Sequence, residues 1–163
     1  MGHAATKEIL LARWAQIVND PSLHDLPYKL EINSEGTIEM SPASNLHGMR
    51  QAEIAQVLGS GLPNGKVITE CSILTDIGVR VPDVAWASND FLATEAGNTP
   101  FTRAPEICVE VRSASNSARE MDDKVRAYLA AGATEVWIAE EDGATRIHSA
   151  QGEISASGFG VKV

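Results

Sequence analysis

The chain has 163 residues, 44% of them apolar, enough to bury a core, and it is expected to form one domain over residues 1–163. Thirteen basic against twenty-two acidic residues give a formal charge of −9, so the molecule as a whole repels nucleic acid at long range and a nucleic-acid function must rest on a local cluster. No run approaches the roughly eighteen consecutive apolar residues of a membrane span, and no basic segment followed by an apolar one opens the chain, so the expectation is a cytoplasmic protein with no membrane partner.

The first element is an amphipathic helix in "ATKEILLARWAQIVND", where Ile9, Leu10, Arg13, Trp14 and Ile17 fall at helical spacing and Asp20-Pro21 ends the segment. "YKLEINSEGTIEMSP" alternates apolar and polar positions about Ser34-Glu35-Gly36 and predicts a hairpin. Ser44 or Asn45 can cap a second helix, "LHGMRQAEIAQVLGSGL", with Met49, Ala52, Ile54, Val57 and Leu58 on one broad face. "KVITECSILTDIGVRVPDVAWAS" predicts two strands, Val67 to Leu74 and Val79 to Ala87. Pro82 falls near a bulge that re-aims its neighbour Asp83.

A polar loop with Asn89-Asp90 and Gly97-Asn98 leads to the strand "EICVEVR". Ser113 to Ser117 supplies a cap, "AREMDDKVRAYLAAG" gives a helix ending at Gly132, and "TEVWIAEE" and "TRIHSAQGE" close with two strands. From residue 46 the order is helix, three strands, helix, strand, an α/β (α+β) arrangement with one mixed sheet flanked by helices, preceded by the N-terminal helix and hairpin. Cys71 and Cys108 match no metal or redox spacing and read as buried thiols; Trp86, Trp137 and Tyr128 sit in apolar patterns and read as core.

Side chains two apart on a strand share a face, so Cys108, Glu110 and Arg112 point one way while Ile107, Val109 and Val111 point the other. A buried carboxylate must be paired or used, because an unpaired one costs several kcal/mol. Asp83 follows a proline at a bulge near the end of the preceding strand, and neighbouring strands lie about 5 Å apart, so the two carboxylates can meet. With Mg²⁺ or Mn²⁺ between them they would form a hard, oxygen-lined site suited to phosphodiester hydrolysis. On the following helix, Glu120, Lys124 and Tyr128 are spaced at i, i+4, i+8 on one stripe, where Glu120 and Lys124 could also form a plain surface pair. Five of the thirteen basic residues lie between Arg103 and Arg126. Glu53 reads as an exposed helical glutamate.

"VPDVAW" followed by "EICVEVRS" resembles the P-D … E-x-K signature of the PD-(D/E)XK nuclease superfamily. More narrowly, "YKLEI", "EMSPASNLHG", "TECSILTDIGVRVPDVAWAS" and "CVEVRSASNSAREMDDKVRAYLAAGATEVWI" resemble the Uma-two family of putative restriction endonucleases, over residues of about 14 to 150. The resemblance implies a restriction endonuclease-like αβββαβ core and a Mg²⁺- or Mn²⁺-dependent DNA endonuclease. By position it makes Asp83 and Glu110 the metal ligands and catalytic carboxylates. Arg112 stands where the superfamily has lysine; it can hold a phosphate but is a poor proton acceptor, and Lys124 offers the alternative catalytic cation. Glu31 and His47 match further family positions and are accessory candidates. Ala114 stands where the family has proline.

Two other readings follow from the same residues. The arginine at the lysine position and the acidic net charge suit a nuclease fold kept for binding or regulation, with catalysis weakened or lost. An oligomeric interaction module with no nucleic-acid partner is the third. Cutting both strands of a symmetric duplex needs two sites, so a homodimer is an expectation, although no dimer surface is visible in the sequence.

Overall fold

Thr6 starts the first helix by accepting a hydrogen bond from the Ile9 N–H, and in the computed structural model, which describes residues 4–163, this helix, α1, runs Lys7–Val18. Leu10, Trp14 and Ile17 recur on one face and are buried, and a turn of 3₁₀ helix at Pro21–Leu23 redirects the chain. The predicted hairpin forms as β1 (Tyr28–Asn33) and β2 (Ile38–Pro42), with Glu31 opposite Glu39. Ser44 caps α2 (Asn45–Gly61). The broad apolar face expected of α2 is narrower in fact: Ile54 and Leu58 are buried, whereas Met49 is exposed.

The stretch expected to hold two strands holds four, β3 (Gly65–Thr69), β4 (Ile73–Thr75), β5 (Gly78–Arg80) and β6 (Val84–Ser88). Each expected strand is broken once. Glu70 takes a left-handed φ of 56° after β3, and Pro82, which has no N–H to donate, falls between β5 and β6. The outer halves, β3 and β6, pair with each other, while the β4–β5 hairpin leaves to join β1. Two sheets result where one was expected: a four-stranded sheet in the order β2-β1-β5-β4, and a six-stranded sheet. Gly78 permits the junction, since its φ is +120° and a Cβ there would lie 2.0 Å from the Ile32 carbonyl oxygen.

The Ser88 hydroxyl caps a short helix, α3 (Asn89–Glu95), where the sequence suggested a loop. Then come β7 (Ile107–Arg112), α4 (Ala118–Ala130), β8 (Glu135–Glu140), β9 (Thr145–Ser149) and β10 (Gly152–Ile154). The six-stranded sheet is ordered β10-β9-β8-β7-β6-β3, with β7 antiparallel to β6 and parallel to β8. Taken along this sheet, α2, β3, β6, β7, α4 and β8 reproduce the expected αβββαβ core, with the β4–β5 hairpin and α3 as insertions.

Helices cover both faces of β7, so the whole strand except Arg112 is buried. On one side Ile54 and Leu58 of α2 join Val109, Val111 and Trp137; on the other Tyr128 of α4 joins Cys108 and Val136. Each such aliphatic side chain contributes about 1.5–3 kcal/mol by leaving water. α1 packs on the smaller sheet through Trp14, Ile32, Val79 and Val81. Trp86 and Trp137 are core residues, and both cysteines are buried free thiols. No helix among the described residues is long and apolar enough to cross a membrane.

Candidate active site

The β6–β7 ladder stops at Val84 opposite Val109. Beyond it the Val111 N–H donates to Asp83 Oδ2 at 2.7 Å, so the aspartate completes the ladder that Pro82 cannot continue. This bond fixes Asp83 against β7 and leaves its second oxygen, Oδ1, facing the cleft. Oδ1 accepts from Lys29 Nζ at 3.0 Å and lies 3.2 Å from His47 Nε2. His47 is delivered by the first turn of α2, whose position Ser44 sets by accepting from the His47 N–H.

Glu110 projects from the opposite face of β7 to the core residues Val109 and Val111, toward α4, and is 2% exposed. Its Oε1 accepts from the Tyr128 hydroxyl at 2.7 Å and from Lys124 Nζ at 3.1 Å; Oε2 accepts from Lys29 Nζ at 3.3 Å. Lys124 and Tyr128 reach the same oxygen because they are one helical turn apart. Lys124 also donates to Glu31 at 3.2 Å, and Glu31 in turn accepts the Val81 N–H at 2.8 Å and lies 3.5 Å from Arg80. Arg80 further pairs with Glu39 across the hairpin.

The structure therefore brings five predicted residues together: Asp83, Glu110, Lys124, Glu31 and His47. It does not bring Arg112 to them. Arg112 stands opposite Glu140 in the parallel β7–β8 register and bonds its Oε1 at 3.4 Å, outside the lining of the cleft. Glu120 does not pair with Lys124 but accepts from the Asn116 amide, and Glu53 is exposed beside Arg50. Lys29 is not among the residues expected at the site, and Tyr128, expected as core, adds its hydroxyl to it. Lys29 was findable, since it is two residues before Glu31 on the same strand and hence on the same face.

Lys29, His47, Asp83, Glu110 and Lys124 line a cleft of about 480 Å³ whose walls include Tyr28 and Met40, while Glu31 and Tyr128 stand behind its lining. Burial pushes the Glu110 carboxyl above the usual carboxylate range, against the pull of Lys124 and Lys29; Asp83 and Glu31 add to the rise. Asp83 goes the other way. Burial opposes its charge, but the His47 hydrogen bond, Lys29 and the Val111 N–H outweigh it and hold the carboxyl well below the usual range. The Asp83 hydrogen bond raises the His47 imidazole. For Lys29, burial is outweighed by Glu110, Asp83 and Glu31, and the ammonium is held above the usual lysine range. Two carboxylates with opposite displacements in one cleft are a common arrangement of catalytic sites.

Among the described residues no group of three or more His, Cys, Asp or Glu side chains is arranged as a metal cage. The donor set still fits a Mg²⁺-like ion, because such ions are held by one or two carboxylates and complete their shell with water and substrate phosphate. Asp83 and Glu110 would be the two.

A family model, Uma2, described as "Putative restriction endonuclease", matches residues 20–156. No curated protein matches the sequence. Among solved structures, the chain is similar to a protein from Anabaena variabilis ATCC 29413 described as a putative nuclease belonging to DUF820, at 18% identity and a TM-score of 0.67, over 80% of this chain and 83% of that one. The fold is thus shared with that structure.

Proposed function

The chain belongs to the Uma2 family of putative restriction endonucleases, and from that premise we propose that it is a Mg²⁺- or Mn²⁺-dependent nuclease hydrolysing phosphodiester bonds in DNA. The observation that carries this reading is the meeting of Asp83, just ahead of β6, and Glu110, on β7, at one cleft that also holds Lys124 and His47. A divalent ion held by the two carboxylates would activate a water molecule and neutralise charge on the phosphoryl group.

The chain's own residues supply the rest. Asp83 is oriented by the Val111 N–H and by His47, and Glu110 by the Tyr128 hydroxyl, so neither carboxylate must reorganise when substrate arrives. Lys124, held between Glu31 and Glu110, is the fixed cation nearest the carboxylates from α4 and would stabilise charge gathering on the phosphate. Arg112 is tied to Glu140 outside the lining of the cleft and takes no part in the proposed chemistry. An incoming phosphate would meet Lys29, His47 and Lys124 in a cleft that also carries Glu70, Asp83, Glu110 and Glu120, so the positive excess that a net charge of −9 calls for would come with the divalent ion.

One observation favours the second reading, a nuclease fold retained for binding: the Lys29 ammonium stands against both carboxylates. The two are separated by incubating supercoiled plasmid and a single-stranded oligonucleotide with Mg²⁺, Mn²⁺ or EDTA. Metal-dependent cutting supports the nuclease; retention of DNA in a gel shift without cutting under any metal supports the binding protein.

A further inference from the structure

Asp83 and Glu110 each have two carboxylate oxygens, and one of each pair is already committed to the fold. Asp83 Oδ2 takes the Val111 N–H, and Glu110 Oε1 takes Tyr128 and Lys124. The remaining oxygens, Oδ1 and Oε2, are the ones that Lys29 Nζ contacts, at 3.0 and 3.3 Å. Among the described residues Lys29 alone bridges the two carboxylates; His47 touches only Asp83, at the same Oδ1, and Lys124 only Glu110, at Oε1, and Glu31. A divalent ion taking these oxygens at about 2.1 Å would share them with a like-charged ammonium in a poorly solvated cleft, where repulsion is strong. Lys29 has an escape route, because it lines the cleft and hangs from β1 on a flexible four-carbon stem.

We propose that Lys29 is a tethered counter-cation of the Asp83–Glu110 pair, which a divalent ion must displace, so that metal loading and withdrawal of the Lys29 ammonium are one coupled event. The proposal rests on the reading of these two carboxylates as metal ligands. Its consequence is a threshold: the lysine keeps the buried acids neutralised and makes the site fill only when the ion outcompetes a group that is always present. The displaced ammonium stays inside the cleft, where a phosphate would meet it.

The test is Mn²⁺ binding by titration calorimetry to wild type, Lys29→Met and Lys124→Met, together with amine acetylation mapped by mass spectrometry on the wild type with and without Mn²⁺. Lys29→Met should bind Mn²⁺ at least about tenfold more tightly than wild type, and Lys124→Met should gain clearly less, since it removes a nearby charge without freeing either oxygen. Acetylation of Lys29 in the wild type should accelerate about fivefold or more on Mn²⁺ addition, as the amine leaves its ion pairs for the open cleft. Equal affinities in wild type and Lys29→Met, an equal gain in both variants, or Lys29 acetylation indifferent to Mn²⁺ would overturn the proposal while leaving the nuclease reading intact. Absence of Mn²⁺ binding at millimolar concentration in every natively folded protein would overturn both.

Discussion

Glu31 on β1 and Lys124 on α4 lie 93 residues apart in the chain and 3.2 Å apart in the fold. Through this contact the small four-stranded sheet reaches the helix that packs on the αβββαβ core. Glu31 also accepts the Val81 N–H just ahead of Pro82 and Asp83, so one carboxylate holds both the lysine and the backbone entering the site. Removing the side chain strands a buried N–H and leaves the buried Lys124 ammonium with Glu110 as its one carboxylate partner among the described residues. Glu31→Ala should therefore lose about 3–5 kcal/mol in urea denaturation, whereas Glu31→Gln, which can still accept from Val81, should lose clearly less. Equal losses would show that the Val81 bond contributes nothing.

Lys124 and Arg112 make opposite predictions. Lys124→Ala should lower the cleavage rate by about 10²–10³, the usual loss for a fixed donor to developing charge. Arg112→Ala should cut DNA within about threefold of wild type and change stability by less than about 1 kcal/mol, since its pair with Glu140 is partly exposed. A larger loss of activity in Arg112→Ala than in Lys124→Ala would reverse the two assignments.

The His47–Asp83 contact should be visible by NMR. In wild type the His47 ring should titrate above its ordinary value of 6.5, and in Asp83→Asn it should fall back toward that value. The sign for stability follows. A histidine raised on folding contributes stability that is fully present below its unfolded pKa and lost as pH rises through the folded one, so the difference between wild type and His47→Gln should be largest in mild acid and vanish on the alkaline side. The Asp83 contribution runs opposite: present above the ordinary carboxylate range, and lost only as pH falls through its depressed folded value. A His47 titration unmoved by Asp83→Asn would remove the coupling.

Gly78 tests the junction of the two sheets. With φ at +120° and the Ile32 oxygen where a Cβ would go, Gly78→Ala should destabilise by at least about 2 kcal/mol and loosen the sheet that carries Glu31 and Lys29. A variant as stable as wild type would mean that β5 can shift away from β1 without penalty.

Much of this was legible in the chain. α1, the hairpin, β7 and α4 follow from clear periodicity and named caps, and the Pro82-Asp83 and Glu110 segments with Lys124 on the next helix pointed to one cleft. The stretch from Gly65 to Ser88 was misread because β4 and β5 are three residues each, too short for alternation to separate from their neighbours. α3 was missed for the same reason at seven residues, although Ser88 was a readable cap. Arg112 shows the limit of period two: alternation gives the face a side chain leaves from, but the pairing register, which sets Glu140 beside it, decides where it ends.

The most direct test of the central claim is the rate of supercoiled-plasmid cleavage in Mn²⁺ by wild type and by Asp83→Asn, each verified as folded by circular dichroism. Cleavage by wild type that EDTA stops and that falls by at least about 10³ in Asp83→Asn is the predicted result. Cleavage that survives either EDTA or the substitution would contradict a metal-dependent site built on Asp83, and no cleavage by wild type would turn the account to the binding reading.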